Sequence, residues 1–266
     1  WRTTDKKVAT VKSGVVTPYA EGECEIIGEV DGFSVSTKVR VSSYKSTGSD
    51  NGYSYVDLGL PSGNKWATCD LGSTIVEKNG DTYPWGDLVP DSYLENEKRP
   101  HKFKNLIECD QHKNNSGNIT DIRERWKCFI EAGVLDSNLA LTPNNDAATV
   151  VMGSHWKIPT SKDYQELLDN TTPRITSLRG VRGVVFKSTS NGNAIFIPGG
   201  WHLLSDASIK EKDRVMGTGI RSSGGTGEYM CEPTASLSAT SVCAIRPIYV
   251  DNENCRYIEN VDTDRC

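Results

Sequence analysis

The chain has 266 residues, 36% hydrophobic and 24% charged, enough apolar material for one substantial domain plus a smaller one and too much for whole-chain disorder. A net charge of −5 argues against nucleic acid as the main partner, because phosphate binding needs a basic face. No run approaches the roughly 20 apolar residues that span a bilayer, so helical membrane insertion is not expected.

The first forty residues read as β structure. Val8–Val11, Gly14–Thr17 and Cys24–Ile27 are short strand candidates separated by turns. Phe33, Val35, Thr37, Val39 and Val41 then alternate with Ser34, Ser36, Lys38, Arg40 and Ser42, which predicts a strand with one buried and one wet face. Residues 44–53 are rich in Ser, Gly and Asn and read as a linker. The expected organisation is a β fragment over 1–43, a linker over 44–53 and a larger domain over 54–266.

In the larger region, Ile122, Trp126, Phe129, Ile130 and Val134 recur at steps of three and four residues and predict an amphipathic helix. A second helix is expected over Ser161–Asp169, with Tyr164, Leu167 and Leu168 inward, Thr160 or Ser161 as cap and Asp163 in its first turn. Strands are expected at Gly183–Lys187, Ala194–Ile197 and Ala244–Val250, a mixture that reads as α+β with much loop. Trp66, Trp85 and Trp156 are expected in the core with their indole N–H groups bonded internally. Trp201, after Gly199-Gly200, reads equally well as exposed or packed.

Positive signals for catalysis or metal binding are few. There is no Gly-x-Ser-x-Gly elbow, no His-Glu-x-x-His and no phosphate-cradling glycine loop, and His101, His112, His155 and His202 are far apart in sequence. Cys109-x-x-His112 has metal-like spacing without a second pair at zinc-finger distance. No cofactor and no metal are expected. Cys231/Cys243 and Cys255/Cys266 are spaced either to close short disulfide loops or to remain as buried thiols. The chain starts at Trp1 without a Met and reads as a fragment, so its targeting is not legible.

Two resemblances add to this reading. Trp1, Thr3, Thr4, Asp5, Val8–Val11, Gly14–Thr17 and Gly22 resemble the C-terminal part of a bacterial immunoglobulin-like group-two domain. Further on come Tyr55–Gly63, Lys65–Cys69, Tyr83–Gly86, Asp146-Ala147-Ala148, Trp156–Thr160, Asn191–Pro198 and Ile245–Ile248. In that order they resemble the major paralogous domain of Bacteroidetes and Fibrobacter surface proteins. The implied fold class is an α+β C-type-lectin-like domain, with an irregular antiparallel sheet, two helices and long loops, after an all-β immunoglobulin-like sandwich fragment.

That resemblance implies ligand binding near the C-terminal end of the domain, on a bacterial cell surface or a phage virion. Where the family commonly has Tyr-Trp-Ser-Ser, this chain has Ile220-Arg221-Ser222-Ser223. The candidate surface is the Gly-, Ser- and Thr-rich stretch Gly217–Val242, expected to act as a loop. Its candidate ligand-binding residues are Arg221, Ser222, Ser223, Glu228, Tyr229, Met230 and Glu232, with Trp201 beside them. Glu232-Pro233-Thr234 is similar to the Glu-Pro-Asn triplet of calcium-dependent lectins, but Thr234 replaces the amide oxygen that Ca²⁺ and sugar would share. The expected partner is a host-surface protein or glycan, with a homotrimer or a larger surface or virion assembly as the setting. The alternatives are a structural decoration domain contacting only neighbouring subunits, and an enzyme on a lectin-like scaffold.

Overall fold

A computed structural model of the chain describes residues 1–19, 22–41, 45–93, 122–207, 214–222, 229–238 and 241–251. It divides into two compact units, Trp1–Lys45 and Ser46–Cys266.

The first unit contains β1 (Arg2–Thr3), β2 (Ala9–Lys12), β3 (Val15–Pro18), β4 (Gly22–Val30) and β5 (Phe33–Val41). Strands β1, β4 and β5 form one antiparallel sheet, and β2 and β3 form a separate hairpin. Ser13-Gly14 and Asp31-Gly32 all have positive φ, between 51° and 82°, as two-residue hairpin turns compatible with strand twist require. Val8, Ala9, Cys24 and Ile26 form a small core, with Val11, Val16, Val39 and Val41 packed against it. The expected buried face of β5 is therefore real only at its Val39–Val41 end. Phe33 and Val35 are 81% and 71% exposed, because the β2–β3 hairpin packs only against the far half of the ribbon.

The second unit begins with β6 (Gly48–Asp50), β7 (Tyr53–Val56), β8 (Lys65–Ala67) and β9 (Thr82–Pro84). Gly48–Asp50, expected within a linker, is instead an edge strand paired to β7. Among the described residues three α-helices follow, α1 (Ile122–Glu131), α2 (Ala147–Met152) and α3 (Ser161–Asp169), with β10 (Trp156–Lys157) between the last two. Both expected helices are present. In α1, Trp126 and Phe129 are buried, while Val134 is buried beyond the helix end. Helix α3 carries a complete capping box: Thr160 accepts from the Asp163 amide and the Asp163 carboxylate accepts from the Thr160 amide.

The remaining strands are β11 (Thr171–Leu178), β12 (Val181–Ser188), β13 (Ala194–Pro198), β14 (Gly200–Ala207), β15 (Arg214–Ser222), β16 (Tyr229–Ser238), β17 (Val242–Ala244) and β18 (Ile248–Tyr249). The expected strand Ala244–Val250 is thus two short strands in different sheets, separated by Ile245-Arg246-Pro247. The sheet orders are β10–β18–β8–β7–β6, β11–β12–β13 and β16–β15–β14–β17–β9.

The described residues of the second unit pack into two cores. One gathers Trp85, Trp126, Trp156, Leu203 and Ile245; the other gathers Trp66, Tyr164, Leu167, Phe186 and Leu204. Strand β14 divides them, since alternate side chains point to opposite faces and Leu203 enters one core while Leu204 enters the other. Trp66, Trp85 and Trp156 are core residues as expected, and two of their indoles are bonded: Trp85 Nε1 donates to the Ser205 carbonyl at 3.1 Å and Trp156 Nε1 to Asp50 at 3.0 Å. Trp66 departs from expectation, because its Nε1 is buried without a partner among the described residues.

Candidate functional site

Two buried carboxylates organise the second unit. Asp70 follows β8 and receives Arg246 Nε on Oδ1 at 2.7 Å; its Oδ2 lies 3.2 Å from His202 Nε2 on β14. Arg246 Nη1 also donates to the Ala67 and Thr68 carbonyls at 3.1 and 2.8 Å, so the guanidinium ties the β17–β18 connection to β8. All three side chains are buried. Burial pushes the Asp70 carboxyl up, but the neighbouring Arg246 charge and His202 outweigh it and hold the group below the usual carboxylate range. A paired buried ion set of this kind fixes register, and removing one member strands the others.

Asp146 solves the same problem with backbone amides. Its Oδ1 accepts from Ala148 and Thr149 at 2.9 and 3.1 Å, capping α2, while Oδ2 accepts from Ile158 at 2.8 Å. This carboxylate therefore joins the Asp-Ala-Ala and Trp-Lys-Ile-Pro-Thr motifs, bonding a position twelve residues further along the chain. Burial pushes its pKa up to about 6 against the three amides, which pull it down. Gly153 closes α2 with φ 106°, where a Cβ would stand 2.3 Å from Asn51 Nδ2. The same Asn51 amide donates to the Met152 carbonyl at 3.0 Å.

Beside Asp146 lies a cleft of about 610 Å³, whose walls include Asn138, Ser154, His155, Lys157, Lys162 and Asp206. That volume falls within the range of small-ligand sites. Much of its polar wall is already committed, however. Asp206 takes the Ser161 amide and hydroxyl, Thr149 Oγ1 donates to the Trp156 carbonyl, and His155 Nδ1 faces Asp50 at 3.3 Å. Burial raises the pKa of Asp206 in spite of the Ser161 bonds. These groups hold the cleft in shape rather than present a nucleophile beside a base. Among the described residues no group of three or more His, Cys, Asp or Glu side chains is placed to hold a metal ion.

The expected ligand-binding residues fall away from this cleft, on β14 and the strands beside it. The stretch expected as a loop is a β-hairpin: β15 pairs antiparallel with β14 and β16, and β16 is the edge strand of its sheet. Register places Trp201 opposite Gly219 and Gly219 opposite Glu232, so these three form one row across three strands. Arg221 pairs with Met230, and Ser222 with Tyr229. Alternation along the strands puts positions 201, 221, 230 and 232 on one face of the sheet and positions 222 and 229 on the other. Arg221 and Tyr229, expected to act together, thus occupy opposite faces. Ser223 and Glu228 lie outside the described residues, as does Cys109-x-x-His112.

Trp201 is half-buried and packs against the first core, the same core that Leu203 enters two residues on. Pro233 sits where β16 carries one extra residue between the Gly217–Ala235 and Gly219–Glu232 pairs. An edge strand at a bulge is where a residue without an N–H is tolerated. The lectin-like triplet Glu232-Pro233-Thr234 is therefore part of a strand. Cys243 is a buried free thiol, pushed up to about 11 by burial; the side chain of Cys231 and the Cys255/Cys266 pair lie outside the described residues.

The sequence reading does not anticipate the Asp70–Arg246–His202 network or the shaping role of Asp146. Arg246 between Ile245 and Pro247-Ile248 is the available signal, because a charge inside a buried apolar run needs a buried partner. Comparison with protein-family models, with curated proteins and with solved structures finds no match to this chain.

Proposed function

We propose that the chain is a surface-displayed binding module, in which a lectin-like second unit recognises a host-surface protein or glycan and an immunoglobulin-like first unit serves as its stalk. The recognition surface is the β15–β16 hairpin. The observation that carries this reading is the register row Trp201–Gly219–Glu232, continued by the Arg221–Met230 pair, on an edge ribbon attached to β14. Inside the unit, β14 is anchored by the buried His202–Asp70 contact, so the ribbon is mounted on a buried strut. Rigid mounting lowers the ordering cost of binding. The residue types at positions 221, 230 and 232 suit an interface whose affinity rests on a few anchors, and Trp201 seats the inner end of the row against the first core. Recognition in this reading needs no metal or cofactor, and the natural setting is a bacterial cell surface or a phage virion, as a homotrimer or as part of a larger assembly.

The test is a glycan array and a pull-down from host-surface extracts with the full chain and with Trp201→Ala, Arg221→Ala, Glu232→Ala and Tyr229→Ala. Binding through one face of the ribbon predicts that the first three weaken a common ligand together, while Tyr229→Ala behaves as a separate class. Unchanged binding in all four variants defeats the hairpin assignment. A structural decoration role is the competing reading, and it gains if the hairpin is covered by a neighbouring subunit in the assembled particle.

A further inference from the structure

Among the described residues, two buried donors near the second core have no acceptor. Trp66 Nε1 and Arg246 Nη2 lack any hydrogen-bond partner, and each residue is only 1% exposed. Arg246 has committed Nε to Asp70 and Nη1 to two backbone carbonyls, so Nη2 is the one nitrogen of its fork left over. Trp66 and Arg246 line the same small internal space, together with Tyr164, Ile197, His202 and Leu204. Its room for a water centre is about 10 Å³.

Leaving a buried donor unmade costs about 1–3 kcal/mol, more when the group is charged. Two such donors, carried by residues that line one cavity and one of them on a guanidinium, are therefore a joint demand for an acceptor. A single water needs roughly 10–15 Å³ of such room and at least two polar partners. An acceptor with several heavy atoms exceeds that room. We propose that this cavity binds one structural water molecule, whose oxygen accepts hydrogen bonds from Trp66 Nε1 and Arg246 Nη2 together.

The water completes a chain from Trp66 on β8 through Arg246 to Asp70 and His202, and so reaches the strand that carries Trp201. It is a fixed part of the core rather than exchangeable surface hydration. The inference is independent of what the hairpin binds.

A high-resolution crystal structure of the full chain decides it. The expected result is one water within about 2.7–3.2 Å of both nitrogens. No water in the cavity, a water bonded to only one of the two donors, or either donor turned onto a protein acceptor would each overturn the proposal. Trp66→Phe keeps an aromatic ring and removes one donor, and its crystal structure is expected to show the water lost or reduced in occupancy. Full occupancy at an unchanged position in that variant also counts against a two-donor site. Should Trp66→Phe fail to fold, the electron density of the unmodified chain is sufficient to uphold or overturn the site.

Discussion

Asp70 and Asp146 are buried to similar depth in one unit, yet the protein neutralises them by opposite means. Asp70 meets the Arg246 guanidinium and the His202 ring, and its acidity increases. Asp146 meets three backbone amides, and burial still wins, raising its pKa to about 6. Partial charges on amides orient a carboxylate without fully offsetting its lost hydration, whereas a buried guanidinium does so and becomes dependent on it. One carboxylate fixes the sheet that carries the hairpin; the other fixes the corner beside the cleft.

Breaking the charged member should cost most. Asp70→Ala is expected to lower unfolding free energy by about 3–5 kcal/mol, because Arg246 and His202 remain buried without their partner. Urea titration of the variant checks this, and a loss below about 1 kcal/mol would show that Asp70 is not the keystone. Asp146→Ala removes one helix cap and orphans the Ile158 amide, for an expected loss of about 2–4 kcal/mol by the same titration.

The two groups also separate by pH. Asp146 has a raised folded pKa, so its proton-linked stabilisation is fully present below the unfolded value of 3.8 and is lost as pH rises through about 6. Asp70 has a lowered one, so its contribution is present above 3.8 and is lost as pH falls through its still lower folded value. Between pH 7 and pH 5 the protonation of Asp146 alone adds roughly 1 kcal/mol of stability. In Asp146→Asn that limb should flatten while the acid limb from Asp70 stays. A limb that persists in the Asn variant assigns it to another group, with Asp206 the first to examine.

The local elements are legible where a single rule governs them. The Ser161–Asp169 helix follows from its cap and apolar spacing, and both Ser-Gly and Asp-Gly turns of the first unit are what those dipeptides favour. Long-range facts are not legible. Nothing local reveals that Ile158 bonds to Asp146, that Phe33 lacks a covering layer, or that Gly-rich Gly217–Ser222 is strand rather than loop. Strand formation there comes from pairing with β14 and β16, which residue propensity does not encode. The candidate residues are neighbours in sequence, but the register divides the described positions between two faces.

Smallest in stability and largest in function should be the hairpin substitutions, which are expected to leave unfolding free energy within about 0.5 kcal/mol of wild type. Ligand binding by Arg221→Ala, measured beside its urea titration, therefore separates a recognition surface from a structural ribbon, using whichever glycan or host-surface component the intact chain captures. A recognition surface loses about tenfold or more in affinity, equivalent to about 1.4 kcal/mol, with stability unchanged. Undiminished binding, or a loss of binding that merely follows unfolding, would rule out Arg221 as an anchor and with it the hairpin as the binding face.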